Sequence, residues 1–131
     1  MEKTTLQFAS ASIFAVCGFL FGQLDGLLKA LIVFMVLDYA TGIIVAVKRK
    51  TLSSEVGFKG IAKKIMIMAL VIVGHVLDAH VIGGGAVCRS AVIGFYIANE
   101  GISILENAAT IGLPLPKKLV DVLIQLRQGK E

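Results

Sequence analysis

The sequence predicts an all-α integral membrane protein with four transmembrane helices and a C-terminal amphipathic helix. Hydrophobic residues make up 56% of the 131-residue chain and charged residues only 17%, whereas soluble domains average about 45–50% and about 25%. The mean hydropathy is +0.87. The apolar residues are gathered in long blocks, which is typical of membrane spans and not of soluble amphipathic elements. We expect residues 1–131 to form a single membrane domain.

The first predicted span covers residues 6–22, which contain no charged residue. As a helix it is about 25 Å long, slightly short of a hydrocarbon core of about 30 Å. Small residues recur along it at Ala11, Ala15, Gly18 and Gly22. Such a stripe lets helix backbones approach closely in lipid, so these four residues are predicted to pack against another helix. The alternative is an apolar helix that has no protein partner.

Two further spans are predicted at residues 27–47 and 61–81, on either side of a basic loop at residues 48–60. The second span carries Asp38 near its middle. The uncharged core of the third span is only about 20 Å long as a helix. It can cross the membrane if Lys63 and Lys64 extend to one interface and Asp78 lies at the other.

The fourth predicted span, residues 86–111, follows a triple-glycine turn and is less hydrophobic than the others. If it lies on the membrane surface instead, the protein has three spans. Gly112–Pro116 ends this helix, because proline cannot continue it. The tail, residues 114–131, includes an amphipathic segment at residues 117–128, which is expected to lie in the membrane interface or to dock on a neighbouring helix.

The basic residues predict the orientation. Eleven of the thirteen lie on one side if the N-terminus, the basic loop and the tail share that side, which leaves only Lys29 and Arg89 on the other. By the positive-inside rule both termini and the basic loop are therefore predicted to be cytoplasmic. The residues expected to set the topology and to contact anionic lipid are Lys48, Arg49, Lys50, Lys63 and Lys64.

Polar residues inside the spans form the candidate functional site, because such residues normally face protein or water. They follow one face of the fourth segment, and Asp38 and Thr41 lie in the second span. The predicted polar seam or lumen consists of Asp38, Thr41, Tyr96, Asn99, Glu100, Ser103, Glu106 and Asn107. These residues either line a lumen or seam that opens on oligomerisation, or pair inside one bundle. In the second case Asp78 would pair with Arg89, and Glu106 with Lys63 or Lys64.

Several functional classes are disfavoured. The bases do not gather on a soluble face, which disfavours nucleic-acid binding. Cys17 and Cys88 lack the spacing of metal ligands, and His75 and His80 do not form a metal site with a nearby cysteine or carboxylate at ligand spacing, so no metal is expected. We find no nucleophile–base motif and no phosphate-binding loop, so neither an enzyme nor a cofactor is predicted.

Three ordered blocks resemble the toxin-secretion/phage-lysis holin family. The first is the Asp-Tyr-Ala-Thr-Gly run at residues 38–42, followed by the serine, glycine and lysine positions of residues 52–64. The second is the Phe-Tyr-Ile-Ala-Asn-Glu-Gly run that begins at Phe95 and extends to Asn107. The third is the Gly-Leu-Pro-Leu-Pro-Lys-Lys-Leu run at residues 112–119. The resemblance covers most of the chain from Leu27 onward.

The resemblance implies a phage-type holin. Such proteins accumulate in the cytoplasmic membrane of the host, self-associate into homo-oligomers, and open lesions at a set time. The lipid bilayer and further copies of the chain are then the partners, and an endolysin, or a toxin, is released cargo. The alternatives are a non-lytic membrane scaffold or anchor and a small ion channel. A scaffold would leave the membrane intact when it is overproduced, whereas a holin would not.

Overall fold

The computed structural model describes residues 1–128 and contains five α-helices. They are α1 (Glu2–Phe21), α2 (Gly26–Lys48), α3 (Ser54–Val76), α4 (Val87–Ile111) and α5 (Lys117–Gln128). Within these residues there is no β-strand, so the all-α prediction is confirmed. The predicted tail extends to residue 131, and its last three residues, including Lys130, lie outside the described residues.

The starts of α2 and α3 are fixed by side-chain caps. The Asp25 carboxylate accepts a hydrogen bond from the Leu28 backbone N–H at 3.0 Å, and the Ser53 hydroxyl accepts one from the Val56 N–H at 3.2 Å. These caps satisfy backbone donors that have no partner inside the helix. The prediction of a loop as far as Gly60 is therefore wrong, since α3 begins at Ser54.

Glycines in a left-handed conformation end two of the helices. The last turns of α3 continue as a π-helical segment, Leu77–Ile82, which stops at Gly83 with φ of 95°. Helix α4 stops at Gly112, where φ is 102°. A side chain would be strained at both positions, so the glycines allow the chain to reverse there.

Helix α4 lies at the centre of the bundle and packs against α2, α3 and α5. Its Ile93 is fully buried in an apolar core with Leu31 of α2 and Val71 of α3. Close approach of α3 and α4 depends on Gly74, where an added Cβ would lie 3.1 Å from the Arg89 backbone nitrogen. The least apolar long helix is thus the one most enclosed by the others.

Among the described residues, three helices are long and apolar enough to cross a membrane: Glu2–Phe21, Gly26–Lys48 and Ser54–Ile82. They correspond to the first three predicted spans. The fourth predicted span is the 25-residue helix α4, whose length is sufficient but whose composition is less apolar. Three spans are therefore supported by length and composition, and the fourth stays a prediction.

Helix α1 stands at the edge of the bundle and contacts α3. Within residues 1–128 it contributes no buried residue. Of the predicted packing stripe, Ala11, Ala15 and Gly18 are exposed, whereas Gly22 lies against His75 of α3. The exposed part of the stripe is therefore free to contact lipid or another protein.

Candidate functional site

A buried cluster of charges joins the three helices of the bundle core. The Lys64 ammonium of α3 donates hydrogen bonds to the Asp38 carboxylate of α2 and to Oε2 of Glu100 of α4, the latter at 2.5 Å. The side-chain exposures of Lys64, Asp38 and Glu100 are 16%, 12% and 3%. Because two carboxylates share one ammonium, each charge has a partner of opposite sign.

The cluster lies about midway along each of the three helices. Asp38, Lys64 and Glu100 are all central in α2, α3 and α4 respectively. The sequence placed Lys64 at an interface, but its side chain points into the bundle instead. The reason is that α3 begins at Ser54 and not at Ile61, which moves Lys64 from the end of the helix to its middle.

Asn107 extends the polar cluster toward the C-terminal end of α4. Its side-chain Nδ2 donates to Oγ1 of Thr41 at 2.9 Å and to Oδ1 of Asp38 at 3.4 Å. The structure therefore brings four of the predicted seam residues together, and it does so inside one chain. Of the two predicted alternatives, a seam between copies and pairing inside one bundle, these four residues form the second.

Tyr39 fixes how closely α2 and α3 approach. Its ring lies against Gly60, where an added Cβ would be 3.1 Å from a ring carbon. Its hydroxyl donates to the Gly57 carbonyl oxygen at 3.5 Å. The motif at residues 38–42 thus supplies one residue to the charge cluster, one to a glycine-lined contact and one, Thr41, to Asn107.

An open cavity of about 240 Å³ lies beside this cluster. Its polar lining comes from Asp38, Tyr39, Lys63, Lys64, Ser103 and Asn107. Residues of the first two sequence blocks therefore meet around one cavity. Because the lining combines both charge signs with amide and hydroxyl groups, water in the cavity can solvate the side of the cluster that faces it.

The remaining predicted seam residues do not join the cluster directly. Tyr96 packs beside the apolar core and makes an edge-to-face contact with Phe95, with ring centroids 5.0 Å apart. Asn99 is half-buried and Glu106 is exposed. The predicted pairing of Glu106 with Lys63 or Lys64 is not formed, since Lys64 is bound by Asp38 and Glu100.

A second polar cluster at the opposite end of the bundle was only partly foreseen. The predicted ion pair between Asp78 and the Arg89 side chain is wrong. The Asp78 carboxylate instead accepts hydrogen bonds from the backbone N–H groups of Cys88 and Arg89, both at 2.9 Å. Asp78 therefore caps the start of α4 from the neighbouring π-helical segment.

The Arg89 guanidinium binds the connection between α1 and α2. It donates to the carbonyl oxygens of Phe21 and Gln23, each at 2.7 Å, and to the Asp25 carboxylate at 2.7 Å. The hydrogen bond from Arg89 lowers the pKa of Asp25 below its ordinary value of 3.8. This anchor could not be predicted from the sequence, because carbonyl acceptors are present in every residue and carry no side-chain signature.

Comparison with known proteins gives a match over the region that contains both polar clusters. A family model described as the bacteriophage holin family matches residues 15–128, which include all the cluster residues. The chain belongs to the bacteriophage holin family. A protein of Bacillus phage phi105 named "Probable holin" is 37% identical over 94% of this chain and 84% of its own length.

Two further relatives of this holin-family chain are bacterial proteins. An uncharacterised protein of Listeria monocytogenes is 44% identical, over 93% of this chain and 86% of its own length. An uncharacterised 14.9 kDa protein encoded in the nagH 3′ region of Clostridium perfringens is 45% identical, over 85% of this chain and 84% of its own length. No solved structure matches the chain.

The basic residues of this holin-family chain have different roles in the structure. Lys48 donates to the Thr110 carbonyl oxygen at 2.9 Å and so satisfies an acceptor in the last turn of α4. Arg49, Lys50 and Lys63 are exposed. Lipid contact is therefore a prediction for these three residues and for the exposed stem of Lys48, whereas the Lys64 charge is used inside the bundle.

Replacing Asp78 with alanine is expected to lower the free energy of unfolding by about 1–2 kcal/mol, since two N–H groups at the start of α4 lose their acceptor. The measurement is SDS-induced unfolding in mixed micelles, followed by circular dichroism. Glu55→Ala is the matched control, because this carboxylate is exposed in the first turn of α3. Equal stability of the two variants would contradict a capping role for Asp78.

Proposed function

We propose that this protein is a phage-type holin, without enzymatic activity, that oligomerises in the bacterial cytoplasmic membrane and opens lesions at a timed moment. An endolysin, or a toxin, would be the released cargo. The observation that carries the proposal is the match of the holin family to residues 15–128, joined by a named phage relative that covers nearly the whole chain. The three apolar helices support a protein that acts within the bilayer.

We propose that α4 is the fourth span. Its position supports this, because α2, α3 and α5 surround it. A helix covered by other helices does not need an apolar surface in order to cross the membrane. A lone charge in a span costs roughly 2.5–3.5 kcal/mol, but Glu100 is paired with Lys64. Four crossings also keep the N-terminus, the 49–53 loop and the α4–α5 turn on the cytoplasmic side, as the basic residues favour.

In this proposal the buried residues of the polar seam have a structural role. Asp38, Thr41, Glu100 and Asn107 hold α2, α3 and α4 in one arrangement, and this is the arrangement that copies of the chain need in order to assemble into lesions. Self-association would use surfaces that the single chain leaves uncovered. The exposed small residues of α1, Ala11, Ala15 and Gly18, are suited to close contact with a second copy.

The test is induced expression in bacteria together with a cytoplasmic endolysin, while membrane potential and enzyme release are recorded. We expect sudden depolarisation and enzyme release after a defined lag. Accumulation in the membrane with the potential intact would contradict the proposal and favour a scaffold. Depolarisation without enzyme release would favour a small ion channel.

A double variant examines the seam within the same assay. Glu100→Gln with Asn107→Leu removes polar contacts of α4 with α2 and α3, and we expect normal membrane accumulation with abolished or strongly delayed lysis. Glu106→Gln is the matched control, because Glu106 lies on α4 but is exposed. Normal lysis timing from the double variant would end the seam hypothesis.

A further inference from the structure

Helix α5 lies at the depth of the membrane spans and not beyond their ends. Its buried residue Leu123 packs at Gly101 of α4, where an added Cβ would be 3.0 Å from the Leu123 methyl groups. The Phe34 ring of α2 lies at the same point, 3.2 Å from that position. Phe34 is inside a helix that qualifies as a membrane span, so Leu123 is at membrane depth if α2 crosses.

The chain reaches this depth by reversing after α4. Gly101 precedes the end of α4, Ile111, by about 15 Å along the helix axis. Helix α5 begins only after the turn at Gly112–Pro116, and its contact with α4 therefore lies back along α4. An amphipathic helix in the interface would lie across the ends of the spans instead.

The outward side of α5 is charged. Leu123 faces the bundle, and the opposite side of the helix carries exposed polar side chains. They are Lys117, Lys118, Asp121 and Gln125. Among residues 1–128 none of these side chains takes part in a salt bridge or a side-chain hydrogen bond, whereas the polar residues of α4 at the same depth are bonded to α2 and α3.

Lys117 and Lys118 are in the first turn of α5 and can extend to the interface. Asp121 and Gln125 lie deeper and cannot face acyl chains, because polar side chains at membrane depth need protein partners or water. Within residues 1–128 no other part of the chain covers these two side chains. We propose that α5 enters the membrane from the cytoplasmic side and that its charged side lines the water-filled lumen formed when copies of this chain assemble. This inference rests on the proposed holin function and assigns the lumen wall to α5.

One flank of α5 differs from this lumen side and provides an internal control. Leu119, Val122 and Leu126 are exposed but apolar, at 46%, 45% and 52%. They occupy the sector between the bundle contact and the charged side. The inference therefore predicts water contact at Asp121 and Gln125, and lipid or protein contact at Val122, which lies between them in sequence.

The experiment uses purified full-length protein in liposomes that contain a fluorescent dye. In a background of Cys17→Ser and Cys88→Ala, single variants Asp121→Cys, Gln125→Cys and Val122→Cys are treated with a charged, membrane-impermeant thiosulfonate reagent. We expect the first two to react at least tenfold faster than Val122→Cys. We also expect modification of Gln125→Cys to slow dye release at least fivefold, with no change for Val122→Cys.

The outcomes separate the two proposals. If the cysteine-free protein releases no dye, the proposed function fails and the lumen fails with it. If it releases dye but the three cysteines react equally, only the inference about α5 is overturned. Fast reaction at Gln125→Cys without slower release would place α5 in water outside the conducting path, which also overturns the inference.

Discussion

Replacing Lys64 with methionine is expected to lower the free energy of unfolding by about 3–5 kcal/mol, the usual cost of removing one partner from a buried ion pair. Lys64 is the shared partner of Asp38 and Glu100, and both carboxylates are largely buried. Without the ammonium, two like charges would face each other across the centre of the bundle. The measurement is SDS-induced unfolding in mixed micelles, with endolysin release as a second readout.

The control for Lys64 is the residue beside it. Lys63 is also a lysine of α3 but is exposed, so Lys63→Met is expected to change stability by about 0.5 kcal/mol or less. A second variant, Lys64→Met with Asp38→Asn and Glu100→Gln, removes all three charges. We expect it to recover most of the lost stability, because the penalty comes from unpaired charge and not from lost packing. Equal stability of Lys63→Met and Lys64→Met would contradict the role of the cluster.

The cluster explains which parts of the site the sequence could predict. The positions of Asp38, Glu100 and Asn107 inside apolar segments identified them as residues in need of partners, and the structure gives them partners. Which partner each one takes depends on helix register, and the register of α3 depends on the cap at Ser53. The run of bases after Val47 hid that cap, because positive charge near a span end is typical of a loop.

The helices themselves were the more predictable part. Long apolar blocks predicted α1, α2 and most of α3, because lipid-exposed backbone must satisfy its own hydrogen bonds. The central place of α4 could not be predicted in this way, since its enclosure by three other helices is a tertiary property. The same holds for α5, whose amphipathic pattern fits an interface and a bundle surface equally well.

Replacing Arg89 with methionine is expected to lower the free energy of unfolding by about 3 kcal/mol and to loosen the C-terminal end of α1. Arg89 is 5% exposed and binds Phe21, Gln23 and Asp25. Hydrogen bonds to a charged group contribute about 1.5–3 kcal/mol each, but Gln23 is exposed and the Asp25 side chain is 40% exposed, so water recovers part of this contribution when Arg89 is removed. Micelle unfolding measures the stability, and amide hydrogen exchange at residues 22–25 measures the loosening.

Two comparisons isolate the role of Arg89. Arg89→Lys keeps the charge but lacks the planar guanidinium that binds the Phe21 and Gln23 carbonyl oxygens and the Asp25 carboxylate together. It is therefore expected to recover less than half of the stability that Arg89→Met loses. Because the pKa of Asp25 is lowered in the folded protein from its ordinary value of 3.8, the pair stabilises the fold at pH values above that ordinary value and loses its effect as the pH falls through the lowered pKa. Arg89→Met should show a smaller acid-dependent loss, because the hydrogen bond from the Leu28 N–H still lowers the pKa of Asp25 when that from Arg89 is gone. If it keeps the same pH dependence and the same exchange at residues 22–25, Arg89 does not anchor α1. In that case the contact between α1 and α3, which includes Gly22 against His75, would hold α1 without it.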